Sequence, residues 1–146
     1  MSMSNPWVLY VTTDLPDQGS AYALALTRLG QAVQDQSIEV LRAHSCEDGL
    51  IIAQGSASYS CVAIDWDLGE TAGMSEKAVL EIIRAVREKS LRIPIFLLSR
   101  GVTTGNLPMS VVRQVREYVN LIGGTPEFFA KRVRFAIDRY HNGMLP

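Results

Sequence analysis

Cys61-Val62-Ala63-Ile64-Asp65-Trp66-Asp67 decides the fold. Four apolar residues run without a break and then meet an acidic turn. Successive side chains of a strand point to opposite faces, so an unbroken apolar run suits a strand covered on both sides. Three more runs share the pattern: Trp7 to Val11, Ile95 to Leu98 and Tyr118 to Ile122. A fifth, Ile38 to Leu41, is interrupted by Glu39 and fits an edge strand.

Helical segments separate these runs. Tyr22, Leu26, Leu29 and Val33 recur at three- and four-residue steps and give one apolar face. Ser45 with Asp48 forms a capping box that opens a second helix. Ser75 is expected to cap a third, with the face Val79, Ile82, Ile83 and Val86. Pro94 stops helix just before the fourth strand. Thr125-Pro126 is a capping residue with proline at the first helical position, opening a helix that buries Phe129, Val133, Ala136, Ile137 and Tyr140. Gly101 to Gln114 reads as a loop with one short helix. Strands alternating with helices predict right-handed crossovers and a parallel sheet. The expected fold is a three-layer α/β/α domain over residues 1–146, with five parallel strands in the flavodoxin-like order 2-1-3-4-5.

Composition narrows the partners. The chain is 47% hydrophobic and carries 14 basic against 15 acidic residues. A net charge of -1 argues against a nucleic-acid partner. The N-terminus lacks the basic and apolar regions of a signal peptide, and no apolar run approaches the roughly 20 residues of a membrane span. Cys46 and Cys61 make no disulfide framework, and Cys61 reads as a buried thiol. The cytoplasm is the expected compartment.

In folds of this order the functional crevice lies at the carboxyl ends of the strands. Thr12-Thr13-Asp14 follows the first strand, Asp65 ends the third, Ser99-Arg100-Gly101 follows the fourth and Gly123-Gly124 the fifth. Asp14, Asp65 and Ser99 are expected to converge. That trio resembles the phosphoacceptor receiver domains of response regulators, in which an acidic pair and a strand-end aspartate hold Mg²⁺. Asp65 and Ser99 match. Thr-Thr-Asp supplies one carboxylate where the family has two, which weakens a site for a cation needing several hard oxygens. The family's lysine falls at Leu121, which cannot stabilise a phosphoryl oxygen. The crevice therefore reads as vestigial. Asp65-Trp66-Asp67 also reads as a plain strand-end turn, its aspartates accepting backbone N–H groups and Trp66 covering the core.

Other chemistry fails on spacing. His44 and His141 have no metal-ligand neighbours. Ser99 has neither a nearby histidine nor nucleophile-elbow glycines. No dinucleotide or Walker loop is present. Thr12, Thr13, Gly19 and Ser20 make a poor flavin-phosphate loop, because Asp14 and Asp17 would repel the phosphate. Lys131, Arg132, Arg134 and Arg139 read as a solvated helix face.

Three stretches carry a more specific likeness. They are Val62-Ala63-Ile64-Asp65-Trp66-Asp67, Pro94-Ile95-Phe96-Leu97-Leu98, and Ala136-Ile137-Asp138-Arg139-Tyr140 with Met144-Leu145-Pro146. In order and spacing the chain resembles the N-terminal wing domain of bacterial PLP-dependent ornithine/lysine/arginine decarboxylases. The resemblance implies an N-terminal fragment of a longer enzyme, continuing past Pro146 into a linker and catalytic core. The PLP, its lysine and the substrate pocket would lie in that core, leaving this domain without cofactor, metal or catalytic residues. It implies a wing that joins subunits into dimers and larger rings, in acid stress or polyamine formation. It also implies guanosine tetraphosphate as a regulator, with Arg113 at the position of the family's contacting arginine. The core chemistry would be CO₂ loss from an amino acid, with PLP as the electron sink.

Two other readings stay open: a stand-alone degenerate receiver that signals through protein contacts, and a small flavodoxin-like enzyme or nucleotide-binding protein. A contact patch around Val102, Leu107, Pro108 and Met109 is expected from their apolar exposure.

Overall fold

The computed structural model describes residues 5–12, 21–66, 72–99, 108–120 and 125–142, without the side chains of 21–26, 72–76, Ser99 and Asn120. Its elements run β1 (Trp7–Val11), α1 (Ala21–Gln34), β2 (Glu39–Ala43), α2 (Cys46–Gln54), β3 (Cys61–Asp65), α3 (Ala72–Lys89), β4 (Ile95–Ser99), α4 (Met109–Val112), β5 (Glu117–Asn120) and α5 (Pro126–His141). The strands form one parallel sheet in the order β2-β1-β3-β4-β5, as the alternation of strands and helices predicts.

The apolar runs become strands because both sheet faces are covered. One core holds Leu9, Val11, Val62, Ile64, Ile95 and Leu97 under α2, α3 and α4. The opposite core holds Val8, Tyr10, Cys61, Ala63, Phe96 and Leu98 under α1 and α5. Alternate residues of each central strand enter opposite cores, so all five residues of β3 are buried. β2 lies at the edge, with Glu39 and Arg42 exposed. It ends at Ala43 rather than Leu41 because its backbone pairs with β1 from Trp7↔Glu39 to Val11↔Ala43. β5 begins at Glu117, opposite Phe96, a residue before the apolar run.

Caps show where local chemistry acts. Ser45 Oγ accepts the Asp48 N–H at 3.1 Å and opens α2 as its capping box predicts. Ser75 does not open α3, which begins at Ala72. Ala72 and Met74 are strong helix formers, so the helix extends through the serine. Thr125 precedes α5 with extended dihedrals, and Pro126 takes the first turn, but the Thr125 side chain makes no capping bond. Leu29 and Val33 are buried from α1, and Val79, Ile82, Ile83 and Val86 from α3. Tyr22 and Leu26 belong to the side chains outside the description. No helix among the described residues is long and apolar enough to cross a membrane.

Candidate functional site

The carboxyl ends of β1 and β3 bring Thr12 and Asp65 side by side, because Val11 pairs with Ile64. Among the described residues these are the two buried polar side chains, both with no exposed surface. The Thr12 N–H donates to the Ala43 carbonyl at 3.0 Å, while its Oγ1 has no hydrogen-bond partner among the described residues. Tyr10 lies on the same sheet face as Asp65. Burial first, and the Asp65 charge second, push its phenol well above the ordinary tyrosine range. The Cys61 thiol is raised by complete burial, which keeps it unreactive.

The expected trio is placed only in part. Asp65 ends β3, opposite Leu98. Ser99 ends β4 with its backbone opposite Asn120, and its side chain lies outside the description. Asp14, Asp67, Arg100 and Leu121 lie outside the described residues, as do Val102 and Leu107 of the expected contact patch. Met109 of that patch is exposed. Trp66 packs into the core with Leu9, Ile64 and Val79.

The opposite end of the sheet carries the charge. A hollow at the amino ends of β4 and β5 is lined by Arg87, Arg113, Arg116, Arg132 and Glu117, with Pro94 beside them. Arg113 follows α4 in helical conformation, its N–H donating to the Met109 carbonyl at 3.1 Å, and its side chain is exposed. Arg132 donates to the Glu117 carboxylate. Arg87 is structural: it donates to the carbonyls of Ile93 at 2.8 Å, Gln114 at 3.1 Å and Ser90 at 3.3 Å. Partial burial lowers its pKa. Four arginines and one glutamate around the hollow leave it with an excess of positive charge, which suits an anion with several oxygens.

Sequence reading missed one contact. Ser60 Oγ and His141 Nε2 lie 2.6 Å apart, though 81 residues separate them in the chain. The His141 ring stands 5.6 Å from that of Tyr140, tilted by 55°. The pair ties the end of α5 to the residue that precedes β3. No group of three His, Cys, Asp or Glu able to hold a metal occurs among the described residues. The chain's three lysines, Lys77, Lys89 and Lys131, are all exposed. A lysine that forms a Schiff base with PLP works from a desolvated pocket, so the lysines here do not fit that cofactor.

Comparison with known proteins adds to this geometry. A family model described as the Orn/Lys/Arg decarboxylase N-terminal domain matches residues 21–140. The biodegradative arginine decarboxylase of Escherichia coli (strain K12) is 24% identical over 140 residues, covering 95% of this chain and 18% of its own length. Lysine decarboxylase LdcA of Pseudomonas aeruginosa is 28% identical over 124 residues, 81% of this chain and 16% of its own. The solved lysine decarboxylase A from Pseudomonas aeruginosa superposes with a TM-score of 0.84 at 26% identity, over 99% of this chain and 20% of that one. A CheY-like response regulator receiver domain from Methanospirillum hungatei JF-1 superposes with a TM-score of 0.70 at 14% identity, over 96% of this chain and 99% of that one, a likeness of fold alone. The chain therefore spans less than a fifth of the length of the two decarboxylases matched by sequence.

Proposed function

This chain belongs to the Orn/Lys/Arg decarboxylase N-terminal domain family, and from that membership we propose that it is a non-catalytic assembly and regulatory domain of a PLP-dependent basic amino acid decarboxylase. The observation that carries the reading is the match to an N-terminal domain over residues 21–140, in a chain that covers 20% of a decarboxylase of the same fold. The whole of residues 1–146 is then one wing, followed in the same polypeptide by the catalytic core. PLP belongs to that core, consistent with three exposed lysines here. Copies of the wing join subunits of the enzyme, in the cytoplasm. Reading the codons after Pro146 tests this. They are expected to continue for several hundred residues and to include a PLP lysine; a stop codon there would overturn it in favour of a stand-alone degenerate receiver.

Regulation by guanosine tetraphosphate is the second part of the proposal. The arginine-lined hollow supports it, since Arg113 is exposed beside Arg87, Arg116 and Arg132. Paired N–H donors of a guanidinium match phosphate oxygens. Arg113→Ala in the longer enzyme is expected to weaken binding by about tenfold or more, the loss of one charged hydrogen-bonding group. Unchanged affinity by calorimetry would remove Arg113 from the site.

A further inference from the structure

Resting on the assembly role above, we infer that the outer face of α5 is a self-complementary seam along which two copies of this chain pair antiparallel. α5 buries Phe129, Ala130, Val133, Ala136 and Ile137 in the core beneath it. Phe128 and Phe135 lie away from that face and remain 61% and 55% exposed. Seven residues separate them, so they stand two turns apart on one stripe. Arg132 and Arg139 follow each by four residues and fall on the same stripe. Each lays its guanidinium over the preceding ring, 5.6 Å from the Phe128 centroid and 5.4 Å from the Phe135 centroid.

An arginine folding over an exposed ring on its own helix is ordinary cover. The spacing adds a symmetry. Positions 128 and 139, and positions 132 and 135, are equidistant from the point midway between residues 133 and 134. When a second α5 runs antiparallel about that point, Phe128 faces the partner's Arg139 and Arg132 faces the partner's Phe135. A planar guanidinium has two faces, so it can stack on its own ring and on the ring across the axis.

This pattern selects the occupant. An acidic partner would use the arginines and leave the rings in water. An apolar partner would cover the rings and desolvate the arginines. A second copy serves both, through the two-fold contact commonest among oligomers. Repulsion among the four arginines is reduced where Glu117 accepts from Arg132 in each copy. α5 has 16 residues, so the seam is about 24 Å long. Alone, that is a small interface, well short of the roughly 1,200 Å² of a stable one. Pairing is therefore concentration-dependent for the free chain and strengthens where other contacts hold the copies close.

Sedimentation equilibrium of the 146-residue chain tests it, with circular dichroism confirming that each variant is folded. Wild type is expected to show a reversible monomer–dimer equilibrium. Phe128→Arg places an arginine opposite the partner's Arg139 and is expected to weaken dimerisation by about tenfold or more. Adding Arg139→Phe exchanges the two groups and is expected to recover it. A chain monomeric at every concentration up to the millimolar range overturns the seam. So does a dimer indifferent to Phe128→Arg, or a double variant that stays weak. If removing residues 1–146 from the longer enzyme dissolves its assembly while Phe128→Arg does not, the seam is wrong and the assembly role stands.

Discussion

Tyr59 shows what one residue can hold. Its ring is buried between α2 and β3, its hydroxyl donates to the Ala53 carbonyl at 2.9 Å, and the Lys89 ammonium sits 4.7 Å from its centroid. Burial first, then the neighbouring Tyr140, raise its pKa to about 12. In the unfolded chain a tyrosine loses its proton near pH ~10. Between these values the folded state holds the extra proton, so stability falls as pH rises through that window and is undiminished below it. Tyr59→Phe is expected to cost about 1 kcal/mol at neutral pH through the lost hydrogen bond. It is also expected to flatten the alkaline loss of stability. Urea midpoints measured across the window decide this: parallel curves for the two proteins would refute the role of Tyr59. The Cys61 and Tyr10 shifts act in the same direction in both proteins and cancel in the comparison. At this scale Asp65 was legible as a strand-end carboxylate. Its place beside Thr12 was not, because residues more than 50 apart in the chain are aligned only by the register of β1 and β3.

At the scale of elements, the approach of α2 to the sheet rests on Gly49. A Cβ there would meet Val11 Cγ1 at 2.6 Å and Ile82 Cδ1 at 3.4 Å. The valine cannot swing aside easily, since its branched side chain has one preferred rotamer against a packed strand. Gly49→Ala gains up to about 1 kcal/mol of helix propensity. The clash costs about 1–3 kcal/mol. The expected net is a loss of about 1 kcal/mol, read as a lower thermal or urea midpoint, and a rise in stability would show that α2 can shift outward. In sequence, a glycine in the first turn of a helix looks like a weak point. Its reason is the neighbouring strand, which no local pattern reveals. Ser75 shows the converse: a good local cap is passed over when residues upstream propagate the helix. Arg87 ties three carbonyls from the end of α3 to the approach to β5.

Over the whole molecule, two ends of one sheet carry different chemistry. Thr12 and Asp65 are buried at the carboxyl end, and arginines line the hollow at the amino end. Neither presents a lysine in a sheltered pocket. The chain mixed with PLP is expected to retain none of its absorbance through gel filtration without reduction; a chromophore retained in stoichiometric amount would overturn the assignment of that cofactor to another part of the enzyme. The sequence by itself determined the class of fold and the order of its strands. Unbroken apolar runs require cover on both faces and helices between them call for parallel crossovers, while the order follows the flavodoxin-like precedent for five such strands. Tertiary structure alone decided which polar groups come together: Ser60 with His141, and the arginines of α3, α5 and the α4–β5 connection around one hollow. Such contacts join residues far apart in the chain, and their geometry follows from strand register and helix packing, which have no local signature.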